Sequence, residues 1–104
     1  MIETKNLPIA CSLTAPELQE RRTTVLQRVR RAVIEIKELE DGYSYSVPST
    51  SEWLGELASL VELERQCCPF LQFRLTVAAN GGPLSLEMTG PEGTKEFLLN
   101  TFNA

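Results

Sequence analysis

Twice along this chain, a run of alternating apolar and polar residues is followed by a turn and a second alternating run. This pattern restricts the possible folds more than any other feature of the sequence. In the first stretch Ile34 and Ile36 alternate with charged residues, and a second alternating run, YSYSV, follows Asp41-Gly42. Alternation puts every second side chain on the same face of a sheet, and Asp-Gly is a favoured turn between two strands. The pattern predicts a β-hairpin over residues 33–48.

A second hairpin is predicted closer to the C-terminus. The segment FLQFRLTV alternates apolar with polar residues, LSLEMTG does the same, and the loop AANGGP joins them. Each run has one apolar set of side chains and one polar set, which is typical of a strand buried on one face. We therefore expect one face of this hairpin to be buried.

A helix is predicted before each hairpin and another at the C-terminus. Thr14 with Glu17 and Ser49 with Glu52 have the spacing of capping boxes, which mark where helices begin. Apolar residues recur after each box at helical spacing. PEGTKEFLLNTF predicts a short C-terminal helix, and LPIACSLT, at residues 7–14, predicts a strand ahead of the first helix.

The predicted elements follow the order β-α-β-β-α-β-β-α in a single domain that spans residues 1–104. Hairpins require antiparallel pairing, and helices on one face of an antiparallel sheet make a two-layer α+β sandwich. The order indicates a ferredoxin-like fold or a close variant of it. A chain of 104 residues buries one core and leaves little for a second.

Composition and charge restrict the partners of the chain. The apolar runs are far shorter than the ~20 residues that cross a bilayer, and the start lacks the pattern of a secretory signal. We therefore expect a cytoplasmic protein with no membrane partner. A formal net charge of -4 disfavours nucleic acid as a partner, because binding it needs lysine and arginine to displace counterions.

The most distinctive chemistry belongs to three cysteines, Cys11, Cys67 and Cys68. The second helix is predicted to end near residue 65, because Pro69 cannot continue it. Cys67 and Cys68 then lie at the helix exit, where two adjacent side chains are not expected to face one core together. An odd number of cysteines cannot pair fully within one chain, and pairing of Cys11 with Cys67 or Cys68 is left open as a regulatory event.

If the three sulfurs meet, they form a soft site that suits zinc, copper(I), mercury(II) or arsenic(III) rather than magnesium or calcium. This interpretation assigns Cys11, Cys67 and Cys68 as metal ligands. Zinc prefers four ligands, and the fourth would be Glu64, Glu62, a water molecule or a group of a partner chain. Glu64 and Arg65 are also candidate neighbouring groups: Arg65, beside the pair, would help to lower a thiol pKa, whereas the negative end of the helix would raise it. Whether Cys11 meets the pair depends on strand order, which the sequence leaves open.

Two other interpretations stay open. In one, the cysteines pack in the core, and the chain is a non-catalytic interaction domain that forms a homodimer through its exposed sheet or an edge strand. In the other, the chain is a thiol redox protein, although it has no CxxC motif. The chain contains no histidine, so no catalytic residue is assigned and an enzyme is the less favoured class.

The segments CSLTAPELQER at residues 11–21, ERQCCPFLQFRL at 64–75 and GPEGTKEFL at 90–98 resemble a group of short bacterial proteins of uncharacterised function. The resemblance covers nearly the whole chain, and ERQCCPFLQF is its most specific part. It suggests relatives that occur beside genes for handling thiol-binding metals. The resemblance implies no established activity, but it favours metal binding by Cys11, Cys67 and Cys68 over a role in the core.

Overall fold

The computed structural model of the chain describes residues 15–102. Within this range the chain forms three α-helices, four strands and a short 3-10 turn. These elements are α1 (Pro16–Ala32), β1 (Glu35–Leu39), β2 (Gly42–Val47), α2 (Ser51–Cys67), β3 (Gln72–Val77), the 3-10 turn (Ala79–Gly81), β4 (Leu84–Thr89) and α3 (Thr94–Phe102). The strand predicted at residues 7–14 lies outside the described residues.

The four strands form one sheet in the order β1-β2-β4-β3, and every neighbouring pair is antiparallel. Both predicted hairpins are present, as β1 with β2 and β3 with β4, and the predicted α+β sandwich is confirmed. One feature makes the fold a variant of the ferredoxin-like arrangement. β4 lies between β2 and β3, at the position that a ferredoxin-like sheet gives to its leading strand.

Only one face of the sheet is buried. Tyr45 and Val47 on β2 and Leu84, Leu86 and Met88 on β4 are almost completely buried. Their neighbours along each strand point to the opposite face, because successive side chains alternate. That open face carries hydroxyl and charged side chains of the two central strands, namely Ser44, Ser46, Ser85, Glu87 and Thr89.

The helices cover the buried face. Val29 of α1 and Leu57 and Leu60 of α2 are buried in the same core as the sheet residues. The rings of Phe70 and Phe97 meet edge to face with their centroids 5.1 Å apart, and this contact joins α3 to the segment that follows α2. Among residues 15–102, no helix has the length and apolar character needed to cross a bilayer.

The sequence predicts Gly42 in the turn of the first hairpin, but the residue lies just after the turn, at the start of β2. The turn of the first hairpin consists of Glu40 and Asp41, and Gly42 is already the first residue of β2, opposite Leu39. A side chain at Gly42 would collide with the carbonyl oxygen of Met88 on β4. Glycine is therefore required here by the close approach of two backbones rather than by the turn.

Candidate functional site

The exit from α2 differs slightly from its predicted position. The helix continues to Cys67, two residues beyond the predicted end, and Cys68 leaves helical geometry with φ -123° and ψ 75°. The backbone N–H of Cys68 still donates to the carbonyl oxygen of Glu64 at 2.6 Å, and the carbonyl of Cys68 accepts from the N–H of Leu71 at 3.0 Å. Pro69 then prevents further helix, as predicted.

Both cysteine side chains are fully buried in the core. The expectation that adjacent side chains at a helix exit would not share one core is therefore wrong. Cys67 ends the apolar face of α2, and the change of backbone direction at Cys68 turns the next side chain inward as well. Cys68 is a free thiol.

Cys68 is part of a polar cluster inside this apolar region. Its Sγ donates to Oε2 of Glu64 at 3.3 Å. The guanidinium of Arg22, on α1, reaches the same carboxylate, with Nε 2.6 Å from Oε1 and Nη2 3.3 Å from Oε2. We call these three residues the Arg22–Glu64–Cys68 cluster. It ties α1 to the end of α2.

Glu64 is only 1 % exposed, so its partners determine whether its burial is tolerated. Burying an unpaired carboxylate costs several kcal/mol. Buried carboxylates are therefore normally paired and hydrogen-bonded. Both oxygens of Glu64 are occupied, one by Arg22 alone and one by Arg22 and Cys68. The cluster therefore satisfies a charge that the core would otherwise exclude.

Burial raises the pKa of the Cys68 thiol to about 12, and the negative charge of Glu64 and the hydrogen bond to it act in the same direction. Arg22 opposes these effects without reversing them. The thiol is thus protonated at neutral pH. A protonated, buried thiol is a poor nucleophile and must lose its proton before it can bind a metal ion.

Arg65, which the sequence places beside the cysteines, lies elsewhere. Its side chain is exposed and forms an ion pair with Glu62, with Nε 2.7 Å from Oε2. Arg65 follows the buried Glu64 by one position and therefore points away from the buried face of α2, whereas Cys68 turns inward where the chain leaves helical geometry. The arginine that reaches the cluster is Arg22. Glu64, as the sequence suggests, is a neighbour of Cys68.

Sequence reasoning missed Arg22, although one signal pointed to it. Glu64 follows Leu57 and Leu60 at intervals of seven and four residues, on the apolar stripe of α2. A glutamate in such a stripe needs a cation from another element. The arginines of α1 were the available source, but their pairing depends on tertiary structure.

The three predicted metal ligands do not appear as a group in the part of the chain that the structure describes. Cys11 lies outside residues 15–102. Within that range, no group of three or more cysteine, aspartate or glutamate residues is placed to hold a metal ion. Metal binding by Cys11, Cys67 and Cys68 stays a prediction.

A second candidate site is formed by the two edges of the sheet. Ile34 and Ile36 at β1 are 63 % and 45 % exposed, and Leu75 and Val77 on β3 are 37 % and 59 % exposed. Leu75 lies in register with the buried Leu86, and Ile36 with the buried Tyr45. These edge residues therefore face the helix side of the sheet, but the helices cover only its centre.

Comparisons of the chain with known protein families, with curated proteins and with solved structures found no match.

Proposed function

We propose that this chain is a non-catalytic interaction domain that associates with a second copy of itself, with Cys67 and Cys68 in structural roles. The observation that carries the proposal is the exposure of apolar residues on both edge strands, Ile34 and Ile36 at β1 and Leu75 and Val77 at β3. Among residues 15–102 no further strand pairs with the outer side of β1 or β3. An edge strand of this kind presents unpaired backbone groups as well as side chains, and a second chain can pair with both.

The state of the Cys68 thiol supports this class over a thiol enzyme. Cys68 is buried, and its raised pKa keeps it protonated at neutral pH. Its Sγ donates to Glu64, a residue that is itself held by Arg22. This arrangement suits a thiol that fills and orders the core.

The mass of the full chain in solution tests the proposal. Sedimentation equilibrium over a wide range of concentrations should give a mass that rises from 11.6 kDa toward twice that value. Replacing Ile36 or Leu75 by serine should weaken the association through one edge, because each change removes apolar contact area. A protein that stays monomeric up to its solubility limit would contradict the proposal.

Leu54 provides the matched control. It is 38 % exposed, close to the value for Leu75, but it lies on α2 rather than on an edge strand. Leu54→Ser removes a similar apolar surface and should leave the association unchanged. If all three serine variants weaken it equally, the contact is non-specific and the edges are not the site.

A further inference from the structure

The charges on β1 specify how two copies would meet. We infer that β1 pairs antiparallel with β1 of a second copy, across a two-fold axis at Ile36, so that two four-stranded sheets join into one. The inference depends on the proposed self-association and adds to it the edge and the register. β1 lies at the end of the strand order within the described sheet, so its outer side is unpaired there.

The side chains flanking Ile36 carry opposite charges. Glu35 and Lys37 are both exposed, and the ion pairs among residues 15–102 involve neither of them. In an antiparallel pair centred on Ile36, Glu35 of one copy lies directly opposite Lys37 of the other, and the symmetry repeats this contact. Opposite charges in that position stabilise the pairing of strands.

The same two charges disfavour the neighbouring registers. An axis at position 35 would put Glu35 opposite itself, and an axis at position 37 would put Lys37 opposite itself. Like charges directly opposite one another are destabilising. The register centred on Ile36 is thus the one that removes both repulsions and brings the two isoleucines together on the helix side.

β3 has apolar residues at its edge but lacks this charge pattern. A two-fold axis at Leu75 would set Arg74 opposite Thr76, which is uncharged. An axis at Arg74 would set two guanidinium groups against each other. Charge complementarity therefore selects β1 rather than β3 for contact with a second copy.

Charge exchange tests the register. Glu35→Lys alone and Lys37→Glu alone should each raise the dissociation constant of the homodimer about tenfold, because two attractive pairs become two repulsive ones. An equimolar mixture of the two single variants should restore association as a heterodimer. The double variant with both changes should again form a homodimer. Circular dichroism checks that each variant is folded.

The outcomes separate this inference from the proposed function. If the single variants associate as tightly as the unchanged protein while Leu75→Ser dissociates, the β1 contact is wrong and self-association through β3 stands. If the unchanged protein is monomeric, both fail. A monomer whose β1 amides nevertheless resist hydrogen exchange would indicate that a segment of the same chain, such as residues 1–14, covers the edge, and would overturn the inference.

Discussion

Arg22 and Glu64 lie 42 positions apart in the sequence, yet Nε of the arginine is 2.6 Å from Oε1 of the glutamate in the interior between α1 and α2. The contact neutralises a charge that the core could not hold alone. It also leaves the second carboxylate oxygen in position to accept from the Cys68 thiol.

Removing the cation should be costly. Arg22→Met leaves Glu64 buried without its partner, and loss of one member of a buried pair typically costs about 3 kcal/mol. Arg28 also pairs with a glutamate of α2, Glu56, but its side chain is 51 % exposed. Arg28→Met is the control and should cost less than about 1 kcal/mol. Urea unfolding measures both, and equal losses would contradict the special role of Arg22.

The Cys68 thiol should resist alkylation in the folded protein. Its pKa is raised from 9.0 to about 12, which lowers the thiolate fraction at neutral pH about a thousandfold. Burial slows the reaction further. Iodoacetamide labelling followed by peptide mass spectrometry should show slow modification of Cys68 until the protein is unfolded in urea. Similar rates in the two states would mean that the thiol is accessible.

The stability of the fold should depend on Cys68 at alkaline pH. The pKa of this thiol is higher in the folded state, so its contribution is fully present below pH 9, the unfolded value, and is lost as pH rises toward the folded value of about 12. Within that window the free energy of unfolding should fall by about 1.4 kcal/mol per pH unit from this group.

Comparison with Cys68→Ala isolates that contribution. Burial also raises the pKa of Tyr45, so this residue too lowers the unfolding free energy at alkaline pH, and it does so in both proteins. The difference in unfolding free energy between the unchanged protein and the variant should therefore shrink between pH 9 and pH 12. A constant difference would show that the thiol does not titrate differently in the two states.

The predicted binding of a soft metal ion has a direct test. If the cysteines are structural, as proposed, the reduced protein should not bind zinc tightly at neutral pH, because the Cys68 thiol is buried and must first lose its proton. Competition with a chromophoric chelator measures this for zinc, and mass spectrometry measures it for mercury(II) and copper(I). Tight binding that disappears in the Cys67→Ser, Cys68→Ser double variant would support the metal site and contradict purely structural cysteines.

Local patterns predicted the elements well and their ends less well. The sequence favours Ser49 as the first residue of a capping box, but Thr50 is the N-cap of α2, and its Oγ1 accepts from the N–H of Trp53 at 3.2 Å. Neighbouring hydroxyl residues offer the same chemistry, so the pattern cannot choose between them. α1 begins similarly late, with Ala15 as its N-cap.

Features that depend on tertiary structure were harder to predict from the sequence. The position of β4 between β2 and β3 depends on how two hairpins pack, and hairpin patterns contain no information about that choice. The sequence gives no reason to single out Arg22, because a helix pattern alone does not distinguish an exposed arginine from one that meets a buried carboxylate. Glu64 lies beside Cys68, since a spacing of four residues at the end of a helix brings side chains together.

The missing side chain at Gly42 has a consequence beyond its own strand. Because β1 is attached to the described sheet only through β2, any displacement of β2 from Met88 would carry the outermost strand with it. A methyl group added at position 42 would thus displace β1 and its exposed charges without changing any residue of β1. The placement of β1, and of any surface that it presents, is therefore determined one strand inward, by the side chain that Gly42 lacks.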